Sequence, residues 1–254
     1  MKRRIIDCHC HLGSYFNFYV PGHSPEDMIR SMDNTEVEMA CISPHMSLTS
    51  DIVGGNAFML ETVQNHPDRF IGFFTYNPHF PDLMKTELDK AFKIKGVKGI
   101  KIHQGTHGTN LMNPSYRYLY DFANRYHLPI LIHTWDIQTI NEISVLSGEY
   151  MNATFIMGHF GAVPSNMIKA ADVIKSRKNV VGDTTVSMMY EGNIEWLVSM
   201  VGADKVLYGT DMPFIDPRVC LGRVLASALS DSERERLLGQ NIIRILEGVK
   251  DYEI

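Results

Sequence analysis

Short apolar runs alternate with amphipathic stretches from one end of the chain to the other. The runs are Arg4–Cys10 (RIIDCHC), Glu38–Ser43 (EMACIS), Phe70–Tyr76 (FIGFFTY), Val97–His103 (VKGIKIH), Leu128–His133 (LPILIH), Ala153–His159 (ATFIMGH), Val180–Thr184 (VVGDT) and Lys205–Asp211 (KVLYGTD). They recur at roughly 25 to 33 residues, the length of a strand, a helix and two short loops. Several, such as FIGFF and PILI, are apolar without alternation, which suits strands covered on both faces in a parallel sheet. The stretches between them carry helix signals. Ser24-Pro25-Glu26-Asp27 offers an N-cap, a proline at the first helical position and acid in the first turn, and Ser230-Asp231-Ser232-Glu233 is a capping box opening a final helix to about Glu247. From Tyr116 to Tyr126, apolar Tyr116, Leu119, Tyr120, Ala123 and Tyr126 recur at threes and fours. Eight strand and helix units predict a closed (β/α)8 TIM barrel ending in a C-terminal helix. A doubly wound open sheet is the alternative, since periodicity does not report closure.

Composition narrows this picture. At 254 residues the chain has the length of one such barrel, and no Pro/Gly/Ser-rich linker or charge run divides it, so residues 1–254 read as one domain. With 44% hydrophobic and 21% charged residues it can bury a large core. Lys and Arg number 24 against 29 Asp and Glu, a formal charge of −5, and no basic cluster offers a footprint for a phosphate backbone. Nucleic acid is therefore not expected as a partner; a small-molecule substrate is, and a homo-oligomer is compatible. The four cysteines contain no CxxC pair, which suits a reducing cytoplasm. Only two consecutive apolar residues precede Asp7 and no segment reaches 18 apolar residues, so neither a signal peptide nor a membrane span is expected. The phosphate signatures GxGxxG and GxxxxGK[ST] are both missing. The 15 methionines, Met188-Met189 among them, read as gap-filling core.

The eleven histidines change the picture most, because imidazole is the commonest metal ligand and titrates near neutrality. The first run ends Asp7-Cys8-His9-Cys10-His11. Chance supplies about half an HxH at this composition, so placement has to carry the argument. Alternation along a strand puts His9 and His11 on one face with Asp7, and turns Cys8 and Cys10 the other way, toward the helices, as small hydrophobes. His103, His133, His159 and Asp211 close later runs, and the C-terminal strand ends are where a barrel of this kind gathers its catalytic residues. Any one of them is more often a structural group. Together they point to a site, since a buried polar cluster without compensation is costly. Three imidazoles and a carboxylate with an open position suit Zn2+, or Mn2+ or Fe2+, activating a water. Asp211 is suited to take and return that water's proton, and His159 to stabilise an oxyanion. Lys101 shares the face of His103 and reads as a substrate-binding cation or as a packed structural lysine with its ammonium paired. His103, His107 with Thr106, Trp135 and the aromatic loop Ser14–Tyr19 are candidates for touching substrate. Arg218 could receive a substrate carboxylate, and Asp183 could orient a ligand or cap backbone. His23, His45, His66, His79 and His127 carry no case.

The segments DCHCHLG, LPILIHTW, FIMGHFGA, VLYGTDMPF and GQNIIRIL, in this order from Asp7 to about Leu246, resemble the amidohydrolase superfamily, in particular its amidohydrolase-2 group of metal-dependent hydrolases and decarboxylases. The resemblance implies a distorted TIM barrel with one divalent metal held by His9, His11, His133 and Asp211, and His159 beside the metal acting on substrate. It also implies that a lysine at the position of Lys101 is carbamylated in binuclear members, although no Glu closes the fourth run here as in their nuclease-like relatives. The expected activity is hydrolysis of a C–O or C–N bond in a lactone, amide or ester. The alternatives are non-oxidative decarboxylation of an aromatic or unsaturated carboxylic acid, and a metal-bound protein that binds a ligand without catalysis. A chain no longer than the barrel leaves little room for the insertions of the decarboxylases, which favours hydrolysis.

Overall fold

Runs that are apolar on both faces need cover on both faces, and the computed structural model supplies it by wrapping the sheet into a barrel inside a ring of helices. The structure describes residues 4–185 and 190–252, so the Met188-Met189 pair lies outside the described residues. Strands β1 (Ile5–Leu12), β2 (Val37–Pro44), β3 (Phe70–Thr75), β4 (Val97–Ile102), β5 (Pro129–His133), β6 (Thr154–Gly158), β7 (Val180–Asp183) and β8 (Val206–Leu207) pair in parallel in chain order. Between and after them lie α1 (Pro25–Asn34), α2 (His45–Thr49), α3 (Ile52–Asn65), α4 (Pro81–Ala91), α5 (Arg117–Tyr126), α6 (Ile137–Glu149), α7 (Pro164–Ser176), α8 (Asn193–Val201) and α9 (Pro217–Leu225). The C-terminal helix runs as α10 (Asp231–Glu235), a π-turn (Arg236–Gln240) and α11 (Asn241–Glu247). The architecture is the (β/α)8 TIM barrel with a C-terminal helix that the run spacing predicts. The expected capping box forms between Ser230 and Glu233, and the N-cap expected at Ser24 forms a second one with Asp27.

Two apolar layers follow from the alternation along the strands. Ile6, Cys41, Phe73, Leu131, Ile156 and Leu207 fill the lumen, joined by Ile242 of α11. The opposite strand faces pack against the helices, where Met28, Met32, Met59, Met84 and Met167 are fully buried, consistent with methionine as core filler. All four cysteines are buried and free. No helix of the described residues is long and apolar enough to cross a membrane.

Two elements depart from expectation in ways that shape the site. Along β1 the register shifts between Asp7 and Cys10, and Asp7 Oδ1 accepts a hydrogen bond from the His9 backbone N–H (3.1 Å). This bulge adds a residue and reverses the alternation. Cys8 therefore stays with Ile6 in the lumen instead of facing the helices, and Cys10 lies with Leu12 in the outer layer. Asp7 does not share the histidines' role: it receives the backbone N–H and hydroxyl of Thr210 at 3.1 and 2.5 Å. The last run, expected over Lys205–Asp211, yields a strand of only Val206–Leu207. Beyond it the chain leaves the ladder of β7 and closes on β1 through irregular bonds. Cys8 N donates to Tyr208 O (3.0 Å), Asp211 N to His9 O (2.8 Å) and His11 N to Met212 O (2.7 Å).

Candidate metal centre

The polar strand ends meet at one end of the lumen. His9 and His11 come from β1, Lys101 from β4 with His103 just beyond it, His133 from β5, Asp183 from β7, and His159 and Asp211 from the turns after β6 and β8. Alternation along β6 would send His159 outward with Phe155 and Met157, so its inward position needs a turn of the backbone. His159, Phe160 and Ala162 all take left-handed conformations (φ 66°, 50° and 65°), and so does Asp211 (φ 65°). Non-glycine residues held in this region store strain that the surroundings must over-determine. The fully buried Asp183 does much of the holding. Its Oδ1 accepts from the backbone N–H groups of His159 (2.8 Å) and Thr185 (3.1 Å), while its Oδ2 accepts from His9 Nδ1–H (2.8 Å). Gly182 allows the arrangement, because a Cβ there would lie 2.3 Å from the Phe160 ring.

Partners on the outer ring nitrogens fix the tautomers. His9 Nδ1–H donates to Asp183, His11 Nδ1–H to the Ser43 carbonyl (3.1 Å) and His159 Nδ1–H to the Thr185 carbonyl (2.8 Å). Each ring is left with an Nε2 lone pair. His9 Nε2 and His11 Nε2 stand 3.5 and 3.1 Å from Asp211 Oδ1, a buried oxygen with no hydrogen-bond partner. Donor atoms of His9, His159 and Asp211 lie within 4.8 Å of one another. The lone pairs of His9 and His11 face an orphaned carboxylate oxygen, and this donor set fits a divalent cation, which at His9 would take the place of the Lys101 contact. Of the four ligands expected from sequence, His9, His11 and Asp211 converge. His133 is one step removed, its Nδ1 3.0 Å from His159 Nε2, and its ring lies between those of His103 (3.9 Å) and Trp135 (5.5 Å). His159, expected to act beside the metal, is in the compact donor group itself.

Burial sets the protonation states. It holds His9, His103 and His133 well below the ordinary imidazole range and takes His159 down to about 4. It raises Asp183 to about 6 and Asp7 to about 7. At Asp211 burial also pushes upward, but the His11 contact and the charges of His9, His11 and His159 prevail and keep its carboxyl well below the usual range. Lys101 is fully buried, with Nζ 2.8 Å from His9 Nε2; burial lowers it to about 8 against the pull of Asp211 and Asp183, so near neutrality it is an ammonium donating to that nitrogen. The stem is packed and the ammonium paired, as the structural reading of Lys101 has it, and the partner is a candidate ligand.

A small cavity of about 50 Å3 opens here, lined in part by His11, Tyr15, His45, His103, Thr106 and Asp211. A cleft of about 600 Å3 adjoins it through Phe214, and one of about 930 Å3 lined by Lys93, Lys95 and Lys98 carries no comparable set of donors, so size alone does not mark the site. Among the softer candidates, His103 and Thr106 line the small cavity and bond each other (3.0 Å). Trp135 stands half-exposed behind His133. His107 is outside the residues lining the cavity, and its carbonyl accepts from His79 Nε2 (2.6 Å). Arg218 lines the adjoining cleft of about 600 Å3, where Asp216 pairs with its exposed guanidinium (2.5 and 2.9 Å). His45, for which the sequence makes no case, is fully buried in the cavity wall. The available signal was its place just past the end of the second run.

The model of the amidohydrolase family, Amidohydro_2, matches residues 6–248. The chain belongs to the amidohydrolase family. Within reach of this amidohydrolase in sequence is a 2-amino-3-carboxymuconate-6-semialdehyde decarboxylase of Dictyostelium discoideum, 22% identical over 233 residues, an alignment covering 75% of this chain. The chain spans 65% of the length of that curated relative. Among solved structures, 5-carboxyvanillate decarboxylase of Sphingomonas paucimobilis superposes with a TM-score of 0.78 at 14% identity, over 97% of this chain and 99% of its own. The same activity from Novosphingobium aromaticivorans, in complex with manganese and 4-hydroxy-3-methoxy-5-nitrobenzoic acid, gives 0.77 at 16%, over 97% and 96%. At such identities the likeness establishes the barrel.

Proposed function

We propose that the protein is a metal-dependent non-oxidative decarboxylase of an aromatic or unsaturated carboxylic acid. The observation that carries this reading is the sequence match to a decarboxylase, with decarboxylases again among the structural neighbours. Hydrolysis, favoured by the sequence reading, draws support only from membership of the family. His9, His11, His133 and Asp211 are the proposed ligands, and the donor set accepts Zn2+, Mn2+ or Fe2+. When bound, the cation supplies Lewis acidity toward substrate oxygens.

The chain's own groups supply orientation and a proton. Loss of CO2 breaks the bond to the carboxyl carbon and leaves its electron pair on the neighbouring carbon, which then takes one proton. His159 is placed to deliver that proton from Nε2 once its ring is protonated: the Thr185 carbonyl holds the other ring proton at Nδ1, and burial, which takes the ring down to about 4, is opposed by the charge of Asp211. Asp183 fixes both the backbone of His159 and the ring of His9, so donor and ligand move as one unit.

The test is protein reconstituted with Zn2+ or Mn2+ and offered a panel of aromatic and unsaturated carboxylates, with CO2 release followed by a coupled assay. Metal-dependent release is expected, falling about 100-fold or more in His159→Asn while bound metal is retained. Turnover of lactones, amides or esters without CO2 from any acid would overturn the reading. No turnover on either panel, together with ligand binding indifferent to Asp211→Asn, would leave a binding protein.

A further inference from the structure

His45 follows Pro44 at the end of β2 and is fully buried. Its Nδ1 lies 2.8 Å from the Gly13 carbonyl, and because a carbonyl only accepts, Nδ1 carries the proton and Nε2 the lone pair. That lone pair has no partner. The ring is clamped against turning. It stacks on His11 at 4.7 Å and on Phe214 at 4.2 Å, with Tyr15 edge-on at 5.2 Å, and a flip would also lose the Gly13 bond.

The neighbouring hydroxyls of the cavity do not answer the vacancy at Nε2. Thr49 donates to the carbonyl of His45 itself (3.1 Å), Thr106 pairs with His103, and the ammonium of Lys101 is turned to His9. A buried acceptor without a donor is destabilising by about 1–3 kcal/mol. A rigid orphan acceptor in the wall of a reaction cavity is the kind of feature that rejects a ligand lacking the matching donor.

We infer that His45 is a specificity-determining residue whose Nε2 accepts a hydrogen bond from a hydroxyl or amino group of the substrate. Resting on the reading of this site as one for a carboxylic acid, the inference narrows the substrate to a hydroxy- or amino-substituted acid. The aromatic faces of Tyr15 and Phe214 beside His45 suit a flat, unsaturated body.

The experiment is calorimetric titration of metal-reconstituted protein with 2-, 3- and 4-hydroxybenzoate and with the three matching methoxybenzoates. Binding is read without turnover, so the decarboxylase reading can fail while this one stands. The wild type is expected to bind at least one hydroxybenzoate about 10-fold or more tightly than its methyl ether. In His45→Phe, which keeps a stacked ring, the ratio falls to about 1 with metal content unchanged, and His45→Gln, which keeps an acceptor, recovers part of it. In the wild type the 15N resonance of His45 Nε2 should move on adding that hydroxybenzoate and stay with the ether. This measurement decides the matter if His45→Phe does not fold. A wild type with no preference for any hydroxyl, a preference that survives in metal-bound His45→Phe, or an unmoved Nε2 resonance would each overturn the assignment.

Discussion

Asp183 answers three donors with two oxygens: one takes the ring of His9, the other the backbone of His159 and Thr185. Replacing it by asparagine puts an amide nitrogen where an acceptor is needed, so either the tautomer of His9 or the left-handed turn at His159 loses its support. Asp183→Asn is expected to weaken metal binding about 10- to 100-fold with the barrel retained, read by competition with a chelator. Affinity within twofold of the wild type would remove Asp183 from this role. The sequence gives this residue two separate possibilities, ligand orientation and backbone capping, and the geometry joins them. Histidines at strand ends were legible because strand ends are where the fold gathers chemistry. His45 was not, because the second run ends in the sequence reading at Ser43 while the strand continues through Pro44. Arg218 and His107 look equally suggestive as polar residues near strand ends. Their surroundings, Asp216 on the guanidinium of Arg218 and the His79 ring on the carbonyl of His107, are encoded by no spacing rule.

Strand spacing and helix caps carry enough local information to place the elements, since each depends on a few consecutive residues. What the sequence conceals is any step that breaks period. The bulge at Asp7 is invisible to an alternation argument, yet it turns Cys8 inward beside the histidines. The π-turn at Arg236–Gln240 is hidden inside a continuous helical pattern, and the carbonyl of Leu237 within it takes the Tyr208 N–H (2.9 Å) just where β8 gives out. Gly239 fits this turn tightly against β1, for a Cβ there would come 2.3 Å from the carbonyl oxygen of Arg4. Backbone cannot yield as a side-chain tip can. Gly239→Ala should therefore lower stability by about 1–3 kcal/mol, measured from denaturant midpoints; a change under about 0.5 kcal/mol would mean that the seam relaxes freely.

Across the whole molecule the same burial that arms the site makes it sensitive to acid. His9, His45, His103, His133 and His159 all have folded-state pKa values below the unfolded value of about 6.5, those of His45 and His159 falling to about 3 and 4. The native state then binds fewer protons than the unfolded chain, so this stabilisation is full above about pH 6.5 and drains away below it. Asp7 and Asp183, raised to about 7 and 6, work in the opposite sense, losing stability as pH climbs from about 4 to those values. Each group is worth about 1.4 kcal/mol per pH unit, and five histidines outweigh two aspartates. The metal-free protein should lose several °C of melting temperature between pH 7 and 5, followed by circular dichroism; a flat profile would show that the cluster titrates in the fold.

The irregular seam between β1 and the segment after β8 bears on how the protein comes into being. His9 and His11 leave the ribosome well before Asp211, the carboxylate that faces them, and the strand that carries them gains its last neighbour only with that later segment. A nascent chain thus has no finished cation site to fill prematurely. For a cation held by His9, His11 and Asp211 together, loading would follow closure of the circle of strands.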